Sequence, residues 1–173
     1  MLWELPIVSH LTDCWDIVKG KEIQEFQNWG RLFTIEFEIT VTTNMSYGWT
    51  NVFHVTADGN YVNYGDRIPA LYMDIVNNQG FFHICSGING NPNYWQNYDF
   101  ELGKQYQITI KQFIENGIYW YEIIIDGESR LKIENTQPQS FSSVKLYTSD
   151  PWYNSFSSDL GSICNIRIQQ LEG

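Results

Sequence analysis

The chain has 173 residues and a mass of 20.3 kDa, the size of one ordinary domain, and we expect a single domain over residues 1–173. Aromatic residues make up 16% and charged residues 17% of the sequence, a composition that excludes intrinsic disorder, coiled coil and collagen. The net charge of −10 would repel phosphate backbones and anionic lipid, so nucleic acid is not an expected partner. No apolar run approaches the roughly 20 residues that span a bilayer, so membrane insertion is not expected either.

The first element in chain order is predicted at residues 11–18, the one stretch that favours a short helix, with Thr12 as its N-cap. The same stretch holds the first of three cysteines, Cys14, Cys85 and Cys164, which cannot all pair within one chain. A disulfide between Cys14 and Cys164 depends on whether the terminal segments pair in a sheet, and the sequence leaves this open. Cys85 lies in an apolar run and is expected to be a buried free thiol.

Alternation of apolar and polar residues predicts strands along most of the remaining chain. It is clearest at residues 33–42, where every odd position is apolar. After a strand at 119–125, the pair Asp126-Gly127 predicts a two-residue hairpin turn, because both central residues of a type I′ turn need positive φ. Further strands are predicted at 51–56, 70–76, 81–85, 105–111, 131–134, 144–148 and 163–168. Together these strands predict an all-β fold, an antiparallel two-sheet β-sandwich of jelly-roll topology.

Three segments rich in Asn, Gly, Tyr and Trp are predicted as long loops, at residues 58–69, 86–99 and 149–159. Binding residues tend to lie on loops that a rigid scaffold displays. A carbohydrate site needs aromatic rings for the apolar face of a sugar and polar groups for its hydroxyls. The same aromatic residues could instead pack as a plug over the end of the sandwich, and both interpretations stay open. The candidate ligand-binding residues are Asn91, Asn93, Tyr94, Trp95, Asp150, Trp152 and Tyr153.

The first of these loops also carries the oxygen-bearing side chains that calcium prefers. Asp58, Asn60 and Asp66 are the candidate metal ligands. Asp and Asn in loops also cap turns, and Asp66 could form an ion pair with Arg67 beside it. Calcium is therefore one of several interpretations of this loop.

Several motifs resemble a domain that recurs in extracellular and matrix proteins of marine invertebrates: GWTNVFHVT at 48–56, YGDRIPA at 64–70, HICS at 83–86, NGNPNY at 89–94 and VKLYTSDPWY at 144–153. That domain looks like a distant member of the concanavalin A-like lectin/glucanase superfamily, related in fold to laminin G and pentraxin domains. The resemblance covers about residues 21–168. It implies a jelly roll, a calcium site at a loop edge, and extracellular localisation with the signal peptide absent from this sequence.

The superfamily includes glycoside hydrolases, whose paired carboxylates lie on one strand. Glu36 and Glu38 share a strand face, but it is the polar face of an alternating strand, so solvated surface is expected there. His54 and His83 lie in predicted strands and are expected to be structural. The sequon at residues 44–46 would tolerate a glycan in a secreted protein.

We therefore expect a non-catalytic, extracellular, lectin-like module that binds a glycan or a matrix glycoprotein. The alternative is a structural matrix or coat domain that assembles with itself into a homo-oligomer through sheet edges.

Overall fold

The computed structural model describes residues 4–43, 48–153 and 160–171. Within these ranges the chain forms strands and turns, and no helix there is long and apolar enough to cross a membrane. The sequon at residues 44–46 lies outside the described residues. The strands are β1 (Ile7–Asp16), β2 (Glu22–Trp29), β3 (Leu32–Val41), β4 (Thr50–Thr56), β5 (Ala70–Val76), β6 (Gln79–Ile88), β7 (Asn91–Phe100), β8 (Gln105–Glu115), β9 (Ile118–Ile125), β10 (Glu128–Glu134), β11 (Phe141–Tyr147) and β12 (Gly161–Leu171).

These strands form two antiparallel six-stranded sheets around one apolar core. Sheet I has the order β1-β12-β3-β8-β9-β10, and sheet II has the order β2-β11-β4-β5-β6-β7. The alternation in β3 buries its apolar residues, and Phe37 of β3 stacks on Phe53 of β4 with ring centroids 4.3 Å apart, which joins the two sheets. The all-β, two-sheet antiparallel sandwich predicted from the sequence is confirmed.

The helix predicted at residues 11–18 is wrong, because this stretch belongs mainly to strand β1. Leu11 pairs with Ile166 of β12, and a register shift between Leu11 and Cys14 interrupts the alternation that would have revealed a strand. Pairing with β12 therefore overrides a weak local helical preference. Strand β2 was not predicted at all, since it is an edge strand in which Phe26 and Trp29 alone are fully buried.

The long loop predicted at residues 86–99 is also wrong, because β6 and β7 form a hairpin there. Asn89 and Gly90 both have positive φ, 53° and 78°, as a two-residue hairpin turn requires. Strand β7 is an edge strand that is polar and aromatic on one face, so its composition resembles that of a loop. As a result, Asn93 and Trp95 lie on a strand and project from the sheet.

A disulfide joins Cys14 of β1 to Cys164 of β12 at directly paired positions, 150 residues apart in sequence. The terminal segments thus pair in a sheet, the condition on which this bond depended. Cys85 is buried and free, as expected. The hairpin turn predicted at Asp126 and Gly127 also forms, with φ values of 51° and 80°.

We expect replacement of both Cys14 and Cys164 by serine to lower the free energy of unfolding by about 2–5 kcal/mol, because the bond closes a long loop in the unfolded chain. Urea denaturation measures this loss, and wild-type protein unfolded in reductant should show a similar one. An unchanged unfolding midpoint in both experiments would contradict the disulfide.

Candidate functional site

The face of sheet II that points away from the core carries an unusual set of side chains. On β5, Leu71 and Met73 belong to the core, whereas Tyr72 between them lies on the opposite face with Cys85 of β6. The register places Tyr72 beside His83 of β6 and His83 beside Asn97 of β7. Three neighbouring strands therefore bring an aromatic ring, an imidazole and an amide side by side on the outer face.

A pocket of about 480 Å³ opens on this face and is called here the sheet II pocket. Its lining contains no Asp or Glu among the residues that the structure describes. Five of its lining residues are aromatic and four are polar: Trp49, Tyr61, Tyr72, Trp95 and Tyr153, and Arg67, His83, Asn93 and Asn97.

The aromatic wall of the pocket is a ladder of three rings. The imidazole of His83 lies between two indoles, with centroids 4.7 Å from Trp49 and 4.9 Å from Trp95. The indoles remain accessible, since Trp49 is 36% and Trp95 50% exposed. The ladder thus presents apolar ring surface to the solvent inside a concave site, where a ligand with an apolar face can cover it.

His83 is held in one orientation by Asn97. Its Nδ1 donates to Asn97 Oδ1 at 2.7 Å. Burial lowers the pKa of His83, the hydrogen bond to Asn97 opposes this change, and the positive charge of Arg67 lowers the pKa further. The ring is therefore neutral at physiological pH, and its Nε2 lone pair can accept a hydrogen bond.

Arg67 lies at the base of the pocket. Its Nε donates to the Asn60 carbonyl oxygen at 2.8 Å and its Nη1 to Asn93 Oδ1 at 2.6 Å. Its Nη2 donates to the Tyr153 hydroxyl at 3.2 Å, and the guanidinium carbon lies 4.5 Å from the centroid of the Tyr72 ring. These contacts fix the guanidinium against an aromatic face.

A buried ion pair lies beneath the pocket. His54 Nδ1 is 2.8 Å from Asp150 Oδ2, and both side chains are completely buried. His54 Nε2 lies 2.6 Å from the carbonyl oxygen of Asp66, an acceptor, so this nitrogen donates. The His54 ring thus connects β4 to the loop that contains Asp66 and to the segment that contains Asp150.

Asp150 organises the segment that carries Tyr153 into the lining of the pocket. Its Oδ1 accepts hydrogen bonds from the backbone N–H groups of Trp152 and Tyr153, and its Oδ2 accepts one from the Tyr72 hydroxyl. Burial alone would raise the pKa of Asp150, but the hydrogen bond and charge of His54, together with the two backbone N–H groups, hold it below its ordinary value. Asp150 is therefore the anionic anchor that positions Tyr153.

The structure brings three of the predicted ligand-binding residues into the pocket, Asn93, Trp95 and Tyr153. Asp150 lies beneath it. Trp152 packs edge-on against the His54 ring, with centroids 5.7 Å apart, outside the lining.

The other two candidates, Asn91 and Tyr94, do not line the pocket. Tyr94 packs against the core, and Asn91 accepts the Asn93 backbone N–H at the start of β7. Sequence reasoning did not select Trp49, Arg67, His83 or Asn97 as binding residues. The period of two that relates Asn93, Trp95 and Asn97 could have revealed their shared face.

The predicted calcium ligands Asp58, Asn60 and Asp66 lie in the loop between β4 and β5. Asp66 accepts the Asn63 backbone N–H at 2.8 Å and forms no ion pair with Arg67 there. Asp58 lines a separate depression beside Phe141. No group of three His, Cys, Asp or Glu residues that could hold a metal occurs within the described ranges.

Glu36 and Glu38 lie on sheet I, away from the pocket. Glu36 is 3.2 Å from Arg167, and Glu38 accepts hydrogen bonds from Gln105 and Asn165. Both carboxylates therefore take part in surface contacts.

The two-sheet topology is that of the concanavalin A-like jelly-roll fold, which comparison with solved structures also shows. No protein-family model and no curated protein matches the sequence. A heptameric pentraxin from Limulus polyphemus matches with a TM-score of 0.54 and 12% identity, over 95% of this chain and 73% of the pentraxin. An alginate lyase from Pseudomonas aeruginosa matches with a TM-score of 0.55 and 17% identity, over 83% of this chain and 68% of the lyase.

A third similar structure is the ligand-binding domain of botulinum neurotoxin serotype D in complex with N-acetylneuraminic acid. Its TM-score is 0.50 at 12% identity, over 85% of this chain. The match covers 34% of the toxin domain, so this chain corresponds to about a third of it. At these identities the three similarities establish the fold.

We expect Asp150→Asn to lower the free energy of unfolding at neutral pH by about 3–5 kcal/mol, because it leaves one partner of a buried pair without its counter-charge. The pKa of Asp150 is lower in the folded protein than in the unfolded chain. Its contribution to stability is therefore present above about pH 4 and is lost as the pH falls through the folded-state pKa.

Urea midpoints measured between about pH 2 and pH 7 test this expectation, since acidification should cost Asp150→Asn less stability than it costs the wild type. The exposed Asp99→Asn is the matched control and should follow the wild-type curve. Parallel curves for the wild type and Asp150→Asn would contradict the role given to this carboxylate.

Proposed function

We propose that this protein is a non-catalytic, lectin-like module that binds a glycan in the sheet II pocket. The observation that carries the proposal is the exposed ladder of Trp49, His83 and Trp95 with the amides of Asn93 and Asn97 at its side. A sugar ring has an apolar face formed by its C–H groups and an edge formed by its hydroxyls. The ladder suits the first, and the amides with His83 Nε2 suit the second.

The dimensions of the pocket support a small-molecule ligand. Its volume of about 480 Å³ lies within the range of about 300–1,000 Å³ that is typical of such sites. The toxin domain of similar fold was crystallised with N-acetylneuraminic acid, which is consistent with sugar binding on a sandwich of this kind.

A secreted location is part of the proposal. The Cys14–Cys164 disulfide supports it, because structural disulfides persist in oxidising compartments. A glycan displayed on a matrix or cell-surface glycoprotein is then the expected partner.

The chemistry of the pocket supports binding without hydrolysis. Most glycoside hydrolases need two carboxyl groups on either side of the scissile bond. The described lining of the sheet II pocket supplies none, and Glu36 and Glu38 lie on the other sheet. Because an alginate lyase shares the fold, incubation with alginate is the appropriate control for elimination, and catalytic formation of unsaturated uronate would contradict the non-catalytic proposal.

We expect a glycan array to show saturable binding, and Trp95→Ala to weaken binding to the best glycan by about tenfold or more, because it removes one side of the ring ladder. Trp95 is 50% exposed, so the melting temperature should change little. Titration calorimetry and thermal melting measure the two effects.

The matched control is Trp120→Ala, a tryptophan on β9 of sheet I that contacts Lys132. It should bind the glycan like the wild type. If no glycan binds, or if both tryptophan variants bind normally, the proposal fails and the self-assembling structural domain becomes the better account.

Calcium assistance is a separate proposal that rests on the oxygen-rich loop containing Asp58, Asn60 and Asp66. Asn60 Oδ1 is buried and makes no hydrogen bond in the described structure, so one candidate oxygen is available to a cation. We expect added calcium to raise the melting temperature relative to chelator-treated protein, because a ligand that binds the folded state alone stabilises it. Asp66→Asn should reduce this shift, and identical melting curves with calcium and with chelator would refute the site.

A further inference from the structure

We propose that the glycan bound in the sheet II pocket carries a carboxylate, and that Arg67 forms the ion pair with it. This inference rests on the proposed function and specifies the class of sugar. It starts from an imbalance of charge at the base of the pocket.

Arg67 is 4% exposed, and a buried guanidinium is unfavourable unless an anion accompanies it. Among the described residues its hydrogen-bond partners are all neutral: the Asn60 carbonyl, the Asn93 amide, the Tyr153 hydroxyl and the Cys85 thiol. These partners accept hydrogen bonds from four of the five guanidinium N–H groups. One N–H of Nη2 has no partner among the described residues.

Asp66, the neighbour of Arg67 in sequence, and Asp150 beneath the pocket have other partners among the described residues. The Asp150 carboxylate faces His54, and the Asp66 carboxylate accepts the backbone N–H of Asn63. Burial raises the pKa of the Cys85 thiol to about 12, so the thiol carries no charge at neutral pH. No described acidic side chain therefore forms an ion pair with Arg67.

The groups around Arg67 are arranged as donors. The Tyr153 oxygen accepts from the guanidinium, so its own O–H can be donated to a ligand. Asn93 uses its Oδ1 on Arg67, which leaves its Nδ2 group to donate. A guanidinium N–H, a phenol O–H and an amide N–H in a pocket lined by no described acid are suited to the two oxygens of a carboxylate.

The net charge of the whole chain narrows the class of ligand further. At −10 the protein repels densely charged polyanions, whereas Arg67 provides one local positive charge. An acidic sugar with one carboxylate per ring matches a single buried cation, and a highly sulfated chain does not.

The test compares each acidic sugar with its own neutral form. Oligouronates and a sialylated oligosaccharide, each paired with its carboxyl-reduced counterpart, are titrated into the full chain by calorimetry. We expect the wild type to bind at least one acidic form about tenfold or more tightly than its reduced form, the size of a charge-assisted hydrogen bond.

The decisive variant is Asn93→Asp, which places a carboxylate beside Arg67 Nη1, where the Asn93 amide oxygen now lies at 2.6 Å. The new side chain should neutralise Arg67 from within the protein and also removes the Asn93 amide donor, so the ratio of the affinities for the acidic and the reduced form should fall to about one. Asn116→Asp, in the exposed turn between β8 and β9, adds the same charge away from the pocket and should keep the wild-type preference.

The outcomes distinguish this inference from the proposal beneath it. Equal binding of acidic and reduced forms by the wild type would contradict the inference that the ligand carries a carboxylate, and it would leave the proposal of glycan binding intact. Binding restricted to a sulfated glycan such as heparin would also overturn it. Failure of every glycan to bind would overturn both proposals. If Asn93→Asp does not fold, the wild-type comparison alone decides.

Discussion

The buried ion pair between His54 and Asp150 is the interaction on which the outer face of sheet II depends. Two charged groups taken out of water must satisfy each other and their remaining hydrogen-bonding atoms. Here the second imidazole nitrogen of His54 donates a hydrogen bond to the Asp66 carbonyl oxygen. The Asp150 carboxylate also accepts hydrogen bonds from the Tyr72 hydroxyl and from the backbone N–H groups of residues 152 and 153. One interaction thus fixes three separate segments of the chain relative to each other.

The position of Arg67 follows from this arrangement. Its backbone comes directly after the carbonyl that His54 holds, and its guanidinium lies between the ring of Tyr72 and the hydroxyl of Tyr153, both positioned by Asp150. The many aromatic residues of the sequence therefore have two roles. Phe37 and Phe53 fill the core, whereas the rings on the outer face surround a cation and leave an open surface.

The sequence was a good guide to the elements that alternate strictly and a poor one to the site. Strands β3, β8 and β9 were predicted because each buries one face in the core. Strand β7 was predicted as a loop, since one edge of it is unpaired and Asn is common in it. Arg67 and Trp49 could not be assigned to one pocket, because their proximity to Trp95 depends on strand register and tertiary packing, which a single sequence does not encode locally.

The placement of β7 at the edge of sheet II has a consequence for how such a protein can diversify. Tyr98 and Phe100 of this strand are buried in the core, whereas Trp95 and Asn97 are exposed to solvent. Substitutions at the outward positions would alter the surface of the sheet II pocket and leave the core unchanged. Edge placement leaves one neighbouring strand, β6, to accommodate any change. Residues of the proposed binding face and residues of the core thus alternate along one strand, so substitutions in the first set should cost little stability.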